Sequence, residues 1–351
     1  MTGYEAAAEP EIFAFQAAAW PHRNPDLIPA RWRWMFVESA CRLGRAPLVW
    51  LYRDGRAIVG HMGSIPVRLK LGDEERDTGW LVDTMVLPAY RNRAVGSRLM
   101  VDAHEDQPFS LSLGQTGEMR EIQFRLGWNQ VAPLQVAQLL VRPANVLKGK
   151  LPRPAAYAAG LGFRASATLR DLFNERRQCE ARVIDRFDER HDRLWATMSR
   201  DLTCAVVRDA SYLNWKYVDQ PGQQFLRLEL LDGEDLRGVA VWMIRDADDI
   251  YRYRRAFLAD LVTPLSDGST LRQVIRAACT AATAAGADAL LCHHIDARLT
   301  DALRDCAFHL RTPERFLLVD PGPLSGAVRD RALSAASWFV TQGDSDIDRP
   351  W

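Results

Sequence analysis

The chain has 351 residues, of which 48% are hydrophobic and 26% are charged, a balance typical of globular proteins. This length predicts two domains rather than one. Lys plus Arg and Asp plus Glu both number 45, so the net charge is zero, which argues against a broad surface for nucleic acid or for an anionic membrane.

The six cysteines lie in the sequence without C-x-x-C spacing, which indicates reduced thiols rather than a disulfide framework. The first ten residues contain acidic side chains and no apolar core, unlike a signal peptide. No apolar run reaches the roughly 18–20 residues that span a bilayer. These three features predict a cytoplasmic protein with no membrane partner.

The first part of the chain alternates between helical and extended patterns. The predicted elements are, in chain order, a helix over 11–41 broken at 21–29, strands over 47–52 and 57–67 around the turn Asp54-Gly55, a charged turn at 72–77, a strand over 79–86, a helix over 95–103, a strand over 109–113, a helix over 118–126 and a strand over 131–141. The strand over 79–86 is apolar on both faces, so we expect it to be central in a sheet.

The second part repeats the element order of the first. Residues 147–163 are the best linker candidate, and helical patterns follow over 169–198 and 210–217. A hairpin then surrounds Asp232-Gly233, and the later predicted elements are a helix over 270–285, a strand over 289–295, a helix over 299–307 and a strand over 315–319. Gly60 recurs as Gly238, and Val86-x-Pro88 recurs as Val262-x-Pro264. These matches in register predict an internal duplication.

The stretch 83–100 carries the most informative pattern, which is a strand, a proline-marked exit, a short basic loop and a helix start. The first amides of such a helix have no partner within it, and the helix dipole favours an anion beside them. Arg91, Arg93 and Arg98 add positive charge. Small residues let a ligand approach the backbone closely, and they are Ala94, Gly96 and Ser97. The pattern therefore predicts a pyrophosphate site.

This stretch resembles motif A of the GNAT acyl-CoA N-acyltransferases, Arg/Gln-x-x-Gly-x-Gly/Ala. The corresponding residues are Arg91-Asn92-Arg93-Ala94-Val95-Gly96, with Ala94 in place of the first glycine, and the later Gly127-Trp128 is similar to the end of a GNAT helix. The whole chain also resembles tandem GNAT proteins associated with bacterial polysaccharide metabolism. That likeness is carried by Trp32-x-Trp34, by residues 212–217 with Pro221-Gly222, and by residues 338–346.

The resemblance implies an α/β fold class with mixed α+β sheets, arranged as two tandem GNAT-like domains, each a mixed, mostly antiparallel sheet flanked by helices. We place an acyl-CoA-binding domain at 1–150 and a degenerate domain, which forms a wall of the acceptor cleft, at 151–351. In the second copy the loop 265–270 holds Asp267 and no base. A carboxylate there would repel a diphosphate.

The resemblance further implies acetyl-CoA, or another acyl-CoA, as co-substrate, with no metal. Pantetheine would lie where two strands splay apart. The implied cofactor-binding residues are Met85 and Val86 for pantetheine, and Arg91, Asn92, Arg93, Ala94, Val95, Gly96 and Ser97 for the pyrophosphate.

Candidate residues for the chemistry each have two interpretations. Asp83 either orients or deprotonates the amine, or it ties down a neighbouring loop. His61 either faces the acceptor or is a satisfied structural histidine. Trp80, Trp32 and Trp128 either stack on a sugar ring or pack in the core.

Two departures from the family concern the general acid. Gln123 stands where many GNATs have a tyrosine, and Thr116 stands where they have an asparagine. A CoA thiolate can leave without an acid, because its thiol pKa is about 8.5–10 by analogy with cysteine.

We therefore expect acetyl transfer from acetyl-CoA to a primary amine, such as an amino sugar or sugar nucleotide, by direct attack in a ternary complex, in polysaccharide biosynthesis. The small-molecule amine is the expected partner, without nucleic acid. Two alternatives remain at this point, a tRNA-dependent aminoacyl transferase and a catalytically inactive CoA-binding or scaffold protein. The acidic run Asp344-x-Asp346-x-Asp348 is interpreted as a solvated tail, unless it folds back to bind the acceptor's amine.

Overall fold

The computed structural model describes residues 3–147 and 179–348, which form two mixed sheets flanked by helices and confirm the predicted fold class. The α-helices of the described residues are α1 Glu9–Ala19, α2 Ile28–Arg33, α3 Ser39–Arg42, α4 Val95–Asp106, α5 Gly117–Arg125, α6 Pro143–Val146, α7 Glu189–Met198, α8 Ala210–Tyr217, α9 Gly268–Ala284, α10 Ala297–Asp305 and α11 Gly326–Leu333. The strands are β1 Val49–Asp54, β2 Ala57–Leu71, β3 Glu74–Val86, β4 Ser110–Leu113, β5 Asn129–Pro133, β6 Gln135–Leu140, β7 Glu180–Val183, β8 Cys204–Val206, β9 Phe225–Asp232, β10 Asp235–Arg245, β11 Arg255–Val262, β12 Ala289–Ile295, β13 His309–Arg311, β14 Phe316–Asp320 and β15 Val340–Thr341.

The two sheets have the same plan. The first has the order β1-β2-β3-β4-β14-β5, with β8 attached to β2, and the second has the order β13-β6-β12-β11-β10-β9-β7, with β15 attached to β12. Each contains one parallel pair, β3 with β4 and β11 with β12, and the other pairs are antiparallel. In both sheets a helix, α4 or α9, connects the parallel strands. The predicted repeat is therefore visible in the topology.

The two halves exchange one strand each. β14, from late in the chain, lies between β4 and β5, and β6, from early in the chain, lies between β12 and β13. Only Leu134 separates β5 from β6, so the chain passes from one sheet to the other within a single residue. The domain division 1–150 and 151–351 stays a prediction, since its boundary lies outside the described residues, but neither sheet is built from one of these segments alone.

Several predicted elements differ from those observed. The expected strand 131–141 is two strands in two sheets, and the expected turn 72–77 is short, because β3 already begins at Glu74. Within the predicted helix 169–198, residues 180–183 are a strand and only Glu189–Met198 is α-helical, while 169–178 lie outside the described residues. Most of the proposed linker, 148–163, also lies outside them.

The repeated glycines have a packing reason in both halves. A Cβ added at Gly60 would lie 2.8 Å from Val95 Cγ1 of α4, and one at Gly238 would lie 2.9 Å from Val274 Cγ1 of α9. Real Cβ atoms are essentially never this close to another heavy atom, so each glycine lets the helix settle directly on its hairpin. Each helix therefore packs closely against the hairpin that precedes it.

Aromatic residues join the N-terminal helices to the second half. The rings of Trp34 and Trp215 stack with centroids 4.8 Å apart. Each indole N–H donates to the other residue's carbonyl oxygen, at 2.8 Å from Trp34 and 3.1 Å from Trp215. The tryptophan-rich segments noted in the sequence therefore form core contacts between distant parts of the chain.

Candidate active site

The N-terminus of α4 is open, as the sequence predicts. Its N-cap residue, Ala94, has no side-chain hydrogen bond to the helix, and residues 91–94 are exposed while Val95 turns into the core. Ala94 has a φ of 58° and Asn92 a φ of 63°, both in the left-handed region that favours glycine. Such a conformation costs an alanine about 1–2 kcal/mol. A strained, exposed turn thus precedes helical amides that no capping side chain satisfies.

Gly96, in the first turn of α4, has free space at its α-carbon. A Cβ there would lie 3.8 Å from Ile122 Cδ1 and 3.9 Å from Val86 Cγ2, which is ordinary contact. Glycine in a helix costs about 1 kcal/mol relative to alanine, and packing within the chain gives no reason for it. The glycine leaves the backbone accessible from outside, as a bound phosphate requires.

The three predicted arginines surround this turn in different ways. Arg91 Nε donates to the Val86 carbonyl at 3.3 Å, across the exit of β3. Arg93 lies over the Tyr90 ring, 5.2 Å from its centroid. Arg98 pairs with Asp102 at 2.8 Å, one turn along the helix. Arg91 and Arg93 therefore supply most of the positive charge at the turn, because Arg98 is partly neutralised.

The end of β3 diverges from β4. The two strands pair only at Trp80 and Leu111, so β3 continues to Val86 without β4 beside it. The Leu87 N–H donates to the Val59 carbonyl oxygen in β2. Because the N–H and C=O groups of successive residues point to opposite edges of a strand, those of Val86 point away from β2 and into the opening. The opening is the splay that the resemblance implies for pantetheine.

Asp83 is buried and ion-paired at a bulge of β3. Its φ is 51°, and the register of β2 with β3 shifts beside it. Arg23 makes two hydrogen bonds to the carboxylate, of 2.6 and 2.9 Å, and both side chains are 2% exposed. Arg23 also donates to Gln16 Oε1 at 2.6 Å and lies 3.8 Å from the centroid of the Trp20 ring. The contacts correspond to the loop-tying interpretation of Asp83.

His61 lies behind this bulge rather than in the opening. It is fully buried, and its Nε2 accepts from Trp32 Nε1 at 3.1 Å. Its Nδ1, 3.0 Å from the Asp83 carbonyl oxygen, therefore carries the proton and donates it. Burial lowers the pKa of His61, which keeps the ring neutral. His61 therefore has the position of a satisfied structural histidine. The interpretation in which it faces the acceptor does not fit this position.

The three tryptophans suggested for sugar stacking are buried. Trp80 is 0% exposed, Trp32 is 1% and Trp128 is 5%. Trp32 donates to His61, and the other two pack within hydrophobic clusters. Since no ring presents a free face, the structure gives them core positions, and stacking on a ligand would need a rearrangement.

Gln123 on α5 is 1% exposed, and its Oε1 has no hydrogen-bond partner among the described residues. An amide cannot donate a proton as a tyrosine hydroxyl does. Thr116 instead caps α5, accepting from Met119 N at 3.3 Å. Both positions agree with a site in which the thiolate leaves unprotonated.

The corresponding helix of the second half, α9, is closed. Asp267 is its N-cap and accepts from the amides of Ser269 at 3.0 Å and Thr270 at 3.2 Å. Hydrogen bonds to Thr270 and these amides lower the pKa of Asp267, so it stays ionised. An anion is excluded here both by charge and because the amides are already used.

The second splay is also filled by the chain itself. β11 and β12 pair as far as Leu258 and Cys292, and β15 then bonds to β12 at His294 and Ile295. β6 occupies the other edge of β12, so β15 lies on the side of β11. The next turn, Gln342–Asp344, approaches β11 so closely that a Cβ on Gly343 would lie 2.9 Å from the Ala259 carbonyl oxygen.

The acidic run at 344–348 is buried, so its interpretation as a solvated tail is wrong. Asp344 is 3% exposed and Asp348 is 0% exposed. Arg208 pairs with Asp344 at 2.6 Å, and Lys216 pairs with Asp348 at 3.1 Å. Burial raises the pKa of Asp344 to about 6, although Arg208 opposes the shift. The signal missed in the sequence was Lys216, a cation within the aromatic helix α8 that needs a buried carboxylate.

Comparisons with known proteins agree with this geometry. Residues 3–109 match the family model described as acetyltransferase (GNAT) domain. No curated protein matches the sequence. The fold is similar to that of a GCN5-related N-acetyltransferase from Anabaena variabilis ATCC 29413, at 13% identity and a TM-score of 0.61, over 90% of this chain and 71% of that one.

Two further solved structures share the fold. A conserved protein of unknown function from Enterococcus faecalis V583, described as a probable N-acyltransferase, has 9% identity and a TM-score of 0.61, over 90% of this chain and 71% of that one. The N-myristoyltransferase of Saccharomyces cerevisiae, solved with bound myristoyl-CoA, has 12% identity and a TM-score of 0.53, over 75% of this chain and 67% of that one.

The family model thus matches the first part of the chain only, and this match agrees with the predicted class of an N-acetyltransferase. Within residues 3–147 and 179–348 no helix is both long and apolar enough to span a bilayer. The same residues contain no group of three or more His, Cys, Asp or Glu side chains suited to a metal ion.

Proposed function

We propose that this protein is an acyl-CoA-dependent N-acyltransferase that moves an acetyl group from acetyl-CoA to the primary amine of an amino sugar or sugar nucleotide. The observation that carries the proposal is the uncapped start of α4 with free space at Gly96, beside exposed Arg91 and Arg93. An anion with two phosphates suits this turn, because free amides, helix dipole and guanidinium groups act together.

In the proposed complex, the pyrophosphate lies on the amides of residues 94–97, and pantetheine lies along Met85 and Val86 in the splay. Arg91 would leave the Val86 carbonyl, which it now covers, and turn to the phosphates. A backbone N–H of this strand end would polarise the thioester carbonyl during attack by the amine. The thiolate would leave without a general acid, and the proton released by the amine would pass to solvent.

Asp83 has a positioning role in this proposal. Its pair with Arg23 and the bond from His61 to its carbonyl hold the bulge that directs the end of β3. The tail of the second half reaches the same region, since Ile347 Cγ2 lies 3.1 Å from where a Cβ on Gly114 would be, just after β4. This contact supports a second half that forms one wall of the acceptor cleft.

The cysteines bear on the proposed location of the protein. All six cysteines are unpaired, which supports a cytoplasmic location in the proposal.

The binding step is tested by calorimetric titration of acetyl-CoA into the wild-type chain and into Gly96→Ala. We expect the variant to lose affinity at least about tenfold, because the new methyl group occupies the phosphate's approach, while the fold tolerates it. Gly268→Ala in the first turn of α9 is the matched control and should leave affinity unchanged. Absence of binding by the wild type at millimolar acetyl-CoA, or an equal loss in both variants, would reject the proposed site.

The transfer step is tested by release of free CoA thiol with a panel of amines. Amino sugars and amino-bearing sugar nucleotides should be acetylated, whereas their N-acetylated forms should not react. Binding of acetyl-CoA without transfer to any amine would favour a CoA-binding protein without catalysis.

A further inference from the structure

A cavity of about 510 Å³ lies at the junction of the two halves, which we call the seam cavity. Lys70, Gly72 and Asp73, from the hairpin of β2 and β3, line one side. Arg200, Thr203 and Arg331, from the second half, line the other. The strands β2 and β8 pair directly beside it, with Lys70 opposite Ala205 and Leu71 opposite Cys204.

The seam cavity concentrates positive charge. It contains three cations, Lys70, Arg200 and Arg331, against one carboxylate, Asp73. None of these four residues takes part in an ion pair within the described parts of the chain, although many arginines elsewhere do. Unpaired cations facing each other across a cavity repel, and an anion between them would relieve that repulsion.

Two of the cations have local contacts with the turn at Gly72. Lys70 Nζ donates to the Gly72 carbonyl oxygen. Arg331 Nη1 lies 2.5 Å from where a Cβ on Gly72 would be, so its guanidinium rests against the turn. Gly72 has a φ of 70°, and its N–H donates to the Thr203 carbonyl at 2.8 Å, which ties this turn to the opposite wall.

The seam cavity is remote from α4. Gly60, which contacts α4, and Lys70 lie on the same strand ten residues apart. A strand rises about 3.3 Å per residue, so roughly 30 Å separates the two places. One acyl-CoA pyrophosphate therefore cannot account for both groups of arginines.

We infer that the seam cavity binds a small phosphorylated ligand carrying at least two negative charges, held by Lys70, Arg200, Arg331 and the Thr203 hydroxyl. Guanidinium groups bind phosphate oxygens in pairs, and the volume falls within the roughly 300–1,000 Å³ of small-molecule sites. Because the seam cavity exists only when the two halves are folded together, binding there stabilises the folded chain. This inference does not depend on the proposed acyltransferase activity.

The probe is inorganic pyrophosphate, titrated into the full chain carrying Gly96→Asp, which removes the expected phosphate site at α4. We expect binding by calorimetry, a raised melting temperature, and at least about a tenfold weaker affinity after a further Arg331→Ala change, with partial recovery for Arg331→Lys. Arg329→Ala, on the same helix but outside the cavity, is the matched control and should stay within about twofold of its parent.

Two outcomes would overturn the inference. One is no pyrophosphate binding by the Gly96→Asp chain at about 10 mM, a concentration at which a site with a Kd of about 1 mM would be largely occupied. The other is equal binding by the Arg331→Ala and Arg329→Ala chains, which would indicate general charge attraction. Urea unfolding of each variant distinguishes loss of the site from loss of the fold. Acetyl-CoA binding by the wild type tests the proposed acyltransferase separately, so neither outcome here decides that proposal.

Discussion

The N-termini of α4 and α9 occupy the same place in the two halves, but the backbone amides of α9 are capped by a side chain and those of α4 are not. At α9 the Asp267 carboxylate accepts two backbone N–H groups, and β15 fills the adjacent splay. At α4 the N-cap is a strained alanine without a side-chain bond, and β3 runs free of β4 beyond Trp80. One half thus satisfies with its own chain the backbone groups that the other half leaves open, and the proposed site needs those open groups.

What the halves share is the scaffold under those helix starts. Gly60 and Gly238 allow the same close helix contact, and each sheet accepts one exchanged strand from the other half. Because each sheet contains one strand from the other half, we expect the second half to be needed for folding of the first.

The largest expected effect comes from closing α4 as α9 is closed. Gly96→Asp places a carboxylate where a phosphate is expected, and we predict an acetyl-CoA affinity at least about a thousandfold weaker, about 4 kcal/mol. An acidic residue in the first turn favours the helix, so the melting temperature should not fall. Both quantities are measured on the same preparation. The Gly268→Asp control in α9 should bind acetyl-CoA like the wild type. An unchanged acetyl-CoA affinity in Gly96→Asp would mean that the open start of α4 does not bind the phosphates.

The second effect concerns acid stability and the buried histidines. Burial lowers the pKa of His294 to about 4 from 6.5, and His61 is shifted in the same direction. The unfolded chain takes up a proton as pH falls below 6.5, while the folded chain resists until about 4. The neutral ring of His294 thus stabilises the folded state above pH 6.5, and this contribution is lost as the pH falls to about 4. The loss of unfolding free energy from His294 is at most about 3 kcal/mol.

The measurement is the slope of the unfolding free energy between pH 4 and 6.5, the range bounded by the two pKa values of His294, in wild type and His294→Gln. The glutamine keeps a donor for the Thr300 hydroxyl, which bonds His294 at 2.9 Å, and removes the titration. We expect a shallower slope in the variant. The raised pKa of Asp344, about 6, changes the unfolding free energy in the opposite direction as the pH falls. Asp344 is present in both chains, so its contribution cancels when the two slopes are subtracted. Identical slopes would contradict the assignment.

Local patterns in the sequence predicted the elements that surround the site. The hairpins, α4 and the small residues at 94–97 all depend on neighbours within a few positions, so their signals lie close together in the sequence. The strand exchange has no such signal, because β6 and β14 choose their partners from strands more than a hundred residues away. The burial of Asp344 was missed for the same reason, since Arg208 lies far from it in the chain.

The side chains proposed for the acceptor show a different limit. Tryptophan and histidine suit both clefts and cores, so the sequence left Trp32, Trp80 and His61 open between the two. Their burial follows from packing of the N-terminal helices on β2 and β3, where Trp32 and Phe36 surround His61. Asp83 was recognised as important, but its partner Arg23 is sixty residues away and had no local pattern.

The third effect tests the shared scaffold. Gly60→Ala and Gly238→Ala each force a methyl group against a valine of the overlying helix. Overpacking of this kind costs about 1–3 kcal/mol, and we expect similar losses of unfolding free energy in the two variants. Urea unfolding measures both. Only Gly60→Ala should also weaken acetyl-CoA binding, because it displaces Val95 at the start of α4. A loss of stability in one variant alone would mean that the repeated glycines do not have the same role.

The smallest effect asks whether opening the cap of α9 is enough to restore a site. Asp267→Ala removes an N-cap and should cost about 1 kcal/mol of stability. It should not create a second acetyl-CoA site, because β15 and the turn Gln342–Asp344 still fill the splay where pantetheine would lie. The calorimetric stoichiometry should therefore stay at one per chain. Two acetyl-CoA molecules bound to Asp267→Ala would mean that the Asp267 cap alone prevents binding in the second half and that β15 can be displaced by a ligand. One bound molecule would mean that the backbone of β15 and the following turn blocks the second site even without the Asp267 carboxylate.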